Sequence, residues 1–319
     1  MAQVKMSSKS TRPKLGIRAR GRRSLSRGTW QFWAIIAIPL IWLIVFAYVP
    51  MAGLVLAFKD YSPSQGIFGS RDVGWFWFDR FLTGPYAFRI ITNTLRLGIY
   101  SLAVGFPIPI LLAIGLNEVG SYKFKKTVQM ITYAPYFISI VVLVGMMMSM
   151  MDLRSGIFNQ VLVRLGMDPV NFFGNADLFP HLYVWSGVWQ GAGYSSIIYI
   201  AALSSVDPEQ KEAAIVDGAS RLQRIRYVDL PSIVPTVVMM LIFNVGQIMN
   251  IGFEKAYLMG NTVNRSTSEI ISTYVYEVGL RSGNYSYATA VGLFNSVISL
   301  FLFITVNQIS KKYAETSVF

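Results

Sequence analysis

The sequence of 319 residues contains no cysteine and a single histidine, His181. Without cysteine the chain can form no disulfide and offers no thiol for catalysis. His181 has no second histidine or cysteine near it, so we expect no metal site. A phosphate-binding loop of the form Gly-x-x-x-x-Gly-Lys-Ser/Thr is also absent, which predicts that this chain neither holds a nucleotide cofactor nor hydrolyses ATP. Its serines and acids show no hydrolytic arrangement, so a membrane enzyme is the least favoured class.

Charged residues are also scarce, at 14% against about 25% in soluble domains, while 53% of residues are hydrophobic. Six runs of at least 21 residues carry no charge. About 20 helical residues cross a bilayer core, so the sequence predicts an all-α membrane protein with six transmembrane helices. We place the spans at about 30–58, 93–117, 127–151, 182–204, 232–253 and 286–309, with a kink in the second at Gly105, Pro107 and Pro109.

The net charge of +12 is distributed unevenly along the chain. With the tail 1–28 in the cytoplasm, eighteen Lys and Arg lie inside and nine outside, with Arg96 in neither group. This asymmetry places both termini and the loop 205–231 in the cytoplasm and argues against nucleic acid as a partner. The basic tail is predicted to be disordered and close to anionic membrane lipids. The predicted membrane domain is then 29–310, followed by a cytoplasmic end, 311–319.

The loop between the fourth and fifth spans is the longest polar, helix-forming insertion between two spans. Asp207 is a candidate N-cap and Pro208 fits the first helical position. Gly218 permits the positive φ of a sharp turn. A second helical piece then carries Arg221, and we expect Pro231 to end it. The loop is thus predicted to be a helix, a glycine turn and a helix outside the bilayer.

The residue sequence of this loop resembles that of the EAA loop of ABC importer permeases. The matching residues are Glu212-Ala213-Ala214, Asp217-Gly218-Ala219 and Leu230-Pro231. The resemblance implies a type I importer with a MetI-like core, in which the loop is a coupling helix seated in an ATPase subunit. The implied coupling residues are Glu212, Ala213, Ala214, Asp217, Gly218, Ala219, Arg221 and Pro231. ATP and Mg would then be bound by the partner subunits.

Other stretches between about 85 and 310 resemble the LplB-type carbohydrate permeases: Asn93-Thr94-Leu95, Gly105-Phe106-Pro107, 134–139, 156–159, 252–255 and 283–296. This resemblance implies a multi-pass subunit of the bacterial inner membrane. Its implied partners are a second permease, two ATPase subunits and an external or periplasmic solute-binding protein. The implied cargo is an oligosaccharide, including acidic ones such as alginate fragments.

Polar and aromatic side chains within the predicted spans are candidates for a sugar path, because aromatic rings pack on sugar C–H faces while amides bind hydroxyls. In the fifth span, polar residues spaced by three suggest one polar helical face, which Glu254 extends. Hydrogen bonding between neighbouring helices is the alternative for each. The candidates are Trp189, Gln190, Tyr194, Asn244, Gln247, Asn250, Glu254 and Asn295.

Arg96, near the outer end of the second span, is a further candidate, because a guanidinium in the bilayer is costly. In a functional role, Arg96 contacts an acidic sugar or the partner subunit. In a purely structural role, its side chain snorkels outward or pairs with Glu254 or Glu277. A secondary, ion-coupled transporter without an ATPase is the alternative function for the whole chain. That function requires a coupling carboxylate within the membrane, yet the six apolar runs contain no acid.

Overall fold

A computed structural model describes residues 29–314. The predicted basic tail, 1–28, and the final segment, 315–319, lie outside the described residues. The chain divides into two compact units, residues 1–53 and 54–319, and each is described by itself.

The described part of the first unit is a run of helix. It comprises α1 (Thr29–Leu43), a π-helical turn (Ile44–Tyr48) and α2 (Val49–Met51), and a 3-10 turn (Ala52–Phe58) follows across the boundary. In the most apolar 18 residues of the stretch Trp30–Phe58, no residue is buried inside the protein. Side chains such as Trp33 and Ile38 are therefore free to meet lipid or another protein.

The second unit is mainly helical. Its one hairpin, in the described part of the chain, pairs β1 (Lys59–Asp60) with β2 (Arg71–Asp72) in antiparallel register. Its helices are α3 (Gly66–Gly69), α4 (Phe76–Leu82), α5 (Ala87–Gly105), α6 (Pro107–Glu118), α7 (Tyr122–Tyr133), α8 (Ile140–Met150), α9 (Ile157–Arg164), α10 (Phe179–Ser204), α11 (Pro208–Val216), α12 (Arg221–Arg224), α13 (Leu230–Gly246), α14 (Phe253–Met259), α15 (Arg265–Ser268), α16 (Ile271–Tyr276) and α17 (Tyr285–Ala314). A 3-10 turn (Ala134–Phe137) and two π-helical stretches (Ile225–Asp229 and Glu277–Arg281) complete it.

Four stretches of described residues are helical, long and apolar enough to cross a membrane: Trp30–Phe58, Ala87–Glu118, Arg221–Gly246 and Tyr285–Lys312. The pair α7 and α8 makes a fifth if a bent pair counts as one span. With 26 residues α10 is long enough to cross a core of about 30 Å. Its glycines, serines and tyrosines make it less apolar than those four. The all-α membrane architecture is confirmed.

The third predicted span, 127–151, is wrong as a single helix. Helix α7 continues through the 3-10 turn to Phe137, and α8 begins at Ile140 at an angle of 98° to it, with extended backbone at Ile138 and Ser139 between them. Pro135 has no amide hydrogen to donate to the preceding turn, and Ser139 caps a new helix by accepting from the amide of Val142.

The fifth predicted span, 232–253, is also corrected at both ends. Pro231 does not end the preceding helix, because the π-helical stretch Ile225–Asp229 leads directly into α13. The wider π turn relieves the clash of the proline ring with the preceding carbonyls. At the other end α13 stops at Gly246, so Gln247 and Asn250 lie beyond the helix, at the two ends of a turn in which the Asn250 amide donates to the carbonyl of Gln247. The predicted single polar face of Asn244, Gln247 and Asn250 is therefore wrong.

Two glycines allow backbones to approach closely in the helical core. A Cβ on Gly193 of α10 would lie 2.0 Å from the carbonyl oxygen of Thr132, and one on Gly98 of α5 would lie 2.2 Å from that of Ile248. No larger side chain fits either place. Helix α10 can therefore pack directly on the backbone of α7.

Buried amides organise the segments between the spans. Asn93 donates from Nδ2 to the carbonyls of Ser266 and Glu269, and the Thr94 hydroxyl accepts from the amide of Ile271. Asn159 bonds the carbonyl of Asp152 and both backbone groups of Val170. These motif residues therefore fix the connecting loops.

Candidate functional site

The loop after α10 has the predicted helix, turn and helix. Asp207 caps α11 through a 3.0 Å bond from the amide of Glu209, and Pro208 occupies the first turn. Gly218 has φ +78°, a left-handed conformation that side chains with a Cβ rarely adopt. Ser220 and Gln223 then form a capping box that starts α12.

Two ion pairs tie this loop to the membrane helices. Lys211 Nζ lies 2.8 Å from Asp229 Oδ1, and the Asp229 side chain is only 2% exposed. Arg224 donates to the carbonyl of Ala219 and lies 3.7 Å from Glu118 at the end of α6. The loop is therefore connected to the base of α13 and to the end of α6. The sequence reasoning missed Lys211, Asp229 and Glu118, although the acid Asp229 directly before the apolar α13 was a usable signal.

The exposed residues of the loop combine charged and apolar side chains. Of the predicted coupling residues, Glu212, Ala213, Asp217, Gly218, Arg221 and Pro231 are exposed, and Ala214 and Ala219 are half-buried. Among them stand large exposed apolar side chains: Ile215, Val216, Leu222 and Tyr227. We call this set the loop surface. An exposed apolar group rimmed by charge is typical of a protein interaction site.

A cavity of about 590 Å³ lies between α6, α10 and α13. It brings together two predicted path residues, Tyr194 and Asn244, and adds Tyr136, Ser195 and Tyr199. Tyr136 and Tyr194 stack in parallel with ring centroids 3.8 Å apart. The stacked rings and nearby amide and hydroxyl groups supply both kinds of contact that a sugar needs.

Other predicted path residues are used within the chain. Gln190 donates to the carbonyl of Ile138 at 2.7 Å, close to the cavity but already bonded. Asn295 donates to Oδ1 of Asn250 at 2.9 Å, and Ser299 lies within 3.5 Å of the Asn250 amide. These bonds link the end of α13 to α17, as the alternative of helix-to-helix bonding predicts.

The remaining predicted path residues stand apart from the cavity. Trp189 is 52% exposed on α10, Gln247 is exposed at the end of α13, and Glu254 is exposed in the first turn of α14. Arg96 is exposed on α5, and none of the ion pairs among the described residues includes it. The predicted pairing with Glu277 is wrong, because Glu277 accepts from Arg281 one turn away.

Lys255, in α14 beyond the fifth span, is a buried cation that the sequence reasoning missed. Its Nζ donates to the carbonyl of Tyr183 at 2.7 Å and lies 4.9 Å from the ring centroid of the same residue. Burial lowers the pKa of Lys255 from 10.5 to about 8. The single polar bond and the ring together hold α14 against α10.

Comparison with known proteins gives a consistent picture. Protein LplB of Bacillus subtilis is 39% identical over 93% of both chains. The polygalacturonan/rhamnogalacturonan transport system permease protein YteP of the same organism is 43% identical, over 88% of this chain and 87% of that protein. A similar chain is found in a crystal structure of a bacterial alginate ABC transporter in complex with alginate pentasaccharide-bound periplasmic protein. The alignment covers 91% of the present chain and 97% of the transporter chain. The TM-score is 0.84 and the identity 38%.

A family model also matches residues 105–315, a range that contains the loop, the cavity and the last two long helices. Together with relatives that exceed one third identity over almost the whole length, this match confirms the resemblance drawn from the sequence. The chain belongs to the family of binding-protein-dependent transport system inner membrane components.

Proposed function

We propose that this chain is one of two permease subunits through which an ATP-driven importer takes up an acidic oligosaccharide delivered by an external binding protein. The observation that carries the proposal is the loop surface, which is exposed on one side and tied by Lys211 and Asp229 to a membrane helix on the other. A secondary transporter needs no such element, and the comparisons give no support to that alternative.

The loop surface suits an ATPase subunit as its partner. It offers the apolar Val216 and Leu222, 87% and 74% exposed, beside the charges of Glu212 and Arg221. An apolar centre with a polar rim is the common anatomy of protein interfaces. ATP and Mg are bound in the ATPase subunits, where ATP is hydrolysed, and this chain transmits the resulting movement to the membrane helices.

The cycle we propose is alternating access. Closure of the ATPase dimer on ATP displaces α11, and the Lys211–Asp229 pair transmits the displacement to α13. Since the cavity has α10 on one side and Met240 and Asn244 of α13 on the other, a shift of α13 changes its width. Hydrolysis of ATP restores the starting state.

The proposed path includes the cavity beside the stacked Tyr136 and Tyr194, with Asn244 as the predicted amide within it. The other predicted path residues remain candidates only where the path extends beyond this cavity. They are Trp189, Gln190, Gln247, Asn250, Glu254, Asn295 and Arg96. The acidic nature of the cargo is supported by the relatives' names, which specify polygalacturonan and rhamnogalacturonan in one case and alginate in another.

The proposed orientation places α11, α12 and both termini in the cytoplasm and α14 to α16 outside. The excess of Lys and Arg on the loop side of the membrane supports it. In this orientation the six long segments, with α7 and α8 counted as one bent span and α10 included, form the membrane domain.

The test is reconstitution of this chain with a second permease, the two ATPase subunits and the binding protein in liposomes. We expect ATP-dependent uptake of an oligogalacturonate, with ATPase activity stimulated by the loaded binding protein. Uptake by this chain alone, driven by an ion gradient without nucleotide, would refute the proposal.

A further inference from the structure

The outer part of the chain contains a second cleft, of about 480 Å³, that is separate from the membrane cavity. Helix α14 forms one side, and α15 with the π-helical stretch Glu277–Arg281 forms the other. Its volume lies in the range of small-ligand sites, about 300–1,000 Å³. We call it the outer cleft.

Two arginines face the outer cleft with most of their donors unused. Arg265 donates from Nε and Nη2 to Glu269 Oε1, at 2.9 and 2.6 Å. Arg281 donates only from Nη1, to Glu277 Oε1 at 2.9 Å. The two arginine side chains are 58% and 60% exposed, whereas the Glu269 side chain is 6% exposed. The remaining N–H groups can therefore meet a ligand that enters from solution.

The charges around the outer cleft favour an anion. Glu269 is shared, because Arg89 also donates to its second oxygen. Arg265, Arg281, Glu269 and Glu277 line the cleft, and Arg89, which does not line it, adds a third guanidinium group to these two carboxylates through its ion pair with Glu269. A ligand carboxylate would balance the excess charge and suits the fork of a guanidinium.

Of the ion pairs at the outer cleft, the one between Arg281 and Glu277 is the one in which a ligand carboxylate can take the place of the glutamate. It joins residues four apart on a helical surface and is open to solvent on both sides. Such exposed pairs contribute little stability, so a ligand carboxylate can replace Glu277 on Arg281 at small cost. Glu269, by contrast, is buried and held twice, so Arg265 keeps its position.

An aromatic face completes the outer cleft. The Tyr257 ring lines it and stays 37% exposed, while its position is fixed by Phe253 and Tyr276 at 5.5 and 5.1 Å between ring centroids. The frame is rigid as well, because the buried Asn264 bonds the carbonyls of Met259 and Phe173. A flat ring beside guanidinium groups matches the C–H face and the carboxylate of a uronic acid.

We propose that the outer cleft is an external subsite for one uronate residue of the oligosaccharide, with Arg281 and Arg265 on its carboxylate and Tyr257 beneath its ring. This inference rests on the proposed function. It adds a place where an acidic sugar binds the permease after it leaves the binding protein and before it enters the membrane cavity.

The first experiment measures direct binding. The assembled complex in nanodiscs, without binding protein, is titrated with trigalacturonate and with the neutral trisaccharide in which the carboxyl groups are reduced. Arg281→Gln should weaken binding of the acid by about tenfold and leave the neutral sugar unaffected, because one charge-assisted contact is lost. Arg281→Lys should restore part of the affinity. Tyr257→Ala should weaken binding of both sugars. Arg164→Gln, an exposed arginine on α9, is the control and should bind like the parent.

The second experiment measures uptake in proteoliposomes and separates the two proposals. If Arg281→Gln reduces uptake of the acidic sugar relative to the parent, but leaves uptake of the neutral sugar unchanged, the result supports the subsite. Unchanged acid binding and uptake in Arg281→Gln overturns the subsite while the proposed function stands. An equal loss for both sugars, with more binding protein needed for half-maximal ATPase stimulation, also overturns it and identifies a binding-protein contact. Absence of nucleotide-driven uptake in the parent complex refutes the proposed function itself.

Discussion

Lys211 of α11 and Asp229 at the base of α13 form an ion pair across the loop, with 2.8 Å between Nζ and Oδ1. The two residues are 18 positions apart in the sequence and belong to different helices. Because Asp229 is almost fully buried, its charge depends on Lys211 for compensation. The pair therefore links the part of the loop that we expect to bind an ATPase with the helix that lines the membrane cavity.

Breaking one side of this pair should be more harmful than removing both. We expect Lys211→Met to cost about 3–5 kcal/mol in stability, since it leaves a buried carboxylate uncompensated. The double variant Lys211→Met with Asp229→Leu should recover most of the stability but not the coupling of ATPase activity to uptake. A double-mutant cycle on melting temperature, with sugar-stimulated ATPase activity measured in parallel, checks both. Full coupling in the double variant would contradict the proposed transmission of movement through this pair.

Gly218 is the turn residue of the loop, with φ +78° and no heavy atom within 4 Å of the position that a Cβ would occupy. We expect Gly218→Ala to be strained by about 1–2 kcal/mol through the backbone alone. Gly218→Pro should abolish stimulated ATPase activity, because proline requires a φ near −65°. Gly120→Ala, also in open space but without a positive φ, is the matched control. Normal coupling in Gly218→Pro would exclude the loop from the interface.

Gly193 should not tolerate any side chain. Since a Cβ would lie 2.0 Å from the Thr132 carbonyl oxygen, Gly193→Ala must separate α10 from α7, and we expect a loss of about 1–3 kcal/mol or a failure to assemble. Gly191→Ala, two residues earlier on the same helix, meets nothing within 4 Å and should melt like the parent. Thermal unfolding in detergent compares the two. Equal melting temperatures would show that the helices do not pack as described.

The amides of the predicted path should separate into two groups. We expect Asn250→Leu to lower stability, because it removes the bond to Asn295, while Gln247→Leu should leave it unchanged. Tyr194→Leu and Asn244→Leu should reduce uptake with little change in melting temperature, since both line the membrane cavity. Binding-protein affinity for the sugar, measured separately, should be the same throughout. Normal uptake in both cavity variants would remove the cavity from the path.

Lys255 predicts a pH dependence of stability. Because burial lowers its pKa from 10.5 to about 8, the unfolded chain binds a proton between these values that the folded chain lacks. The contribution of this group to stability therefore rises with pH from about 8 to 10.5, by roughly 3 kcal/mol at most. Lys255→Met should melt higher than the parent at pH 7, and the gap should narrow by pH 9.5. Parallel melting profiles would show that Lys255 is not buried.

Local features of the loop were predictable because they depend on neighbours in the sequence. The cap at Asp207, the proline at position 208 and the turn at Gly218 each follow from the conformational preferences of single residues. Pro231 was misjudged, because a π-helical stretch just before it accommodates the ring, and nothing in the residue types announces such a stretch.

By itself the sequence determined the membrane class and the loop, since charge-free runs and capping residues act over a few turns of helix. Only the tertiary structure decided which polar residues meet. It joined Asn250 to Asn295, placed Tyr136 on Tyr194, bent the third span between Phe137 and Ile140 and gathered Arg265 and Arg281 around one cleft. These relationships connect residues far apart in the chain, and the free energy of such contacts depends on packing geometry that residue order does not contain.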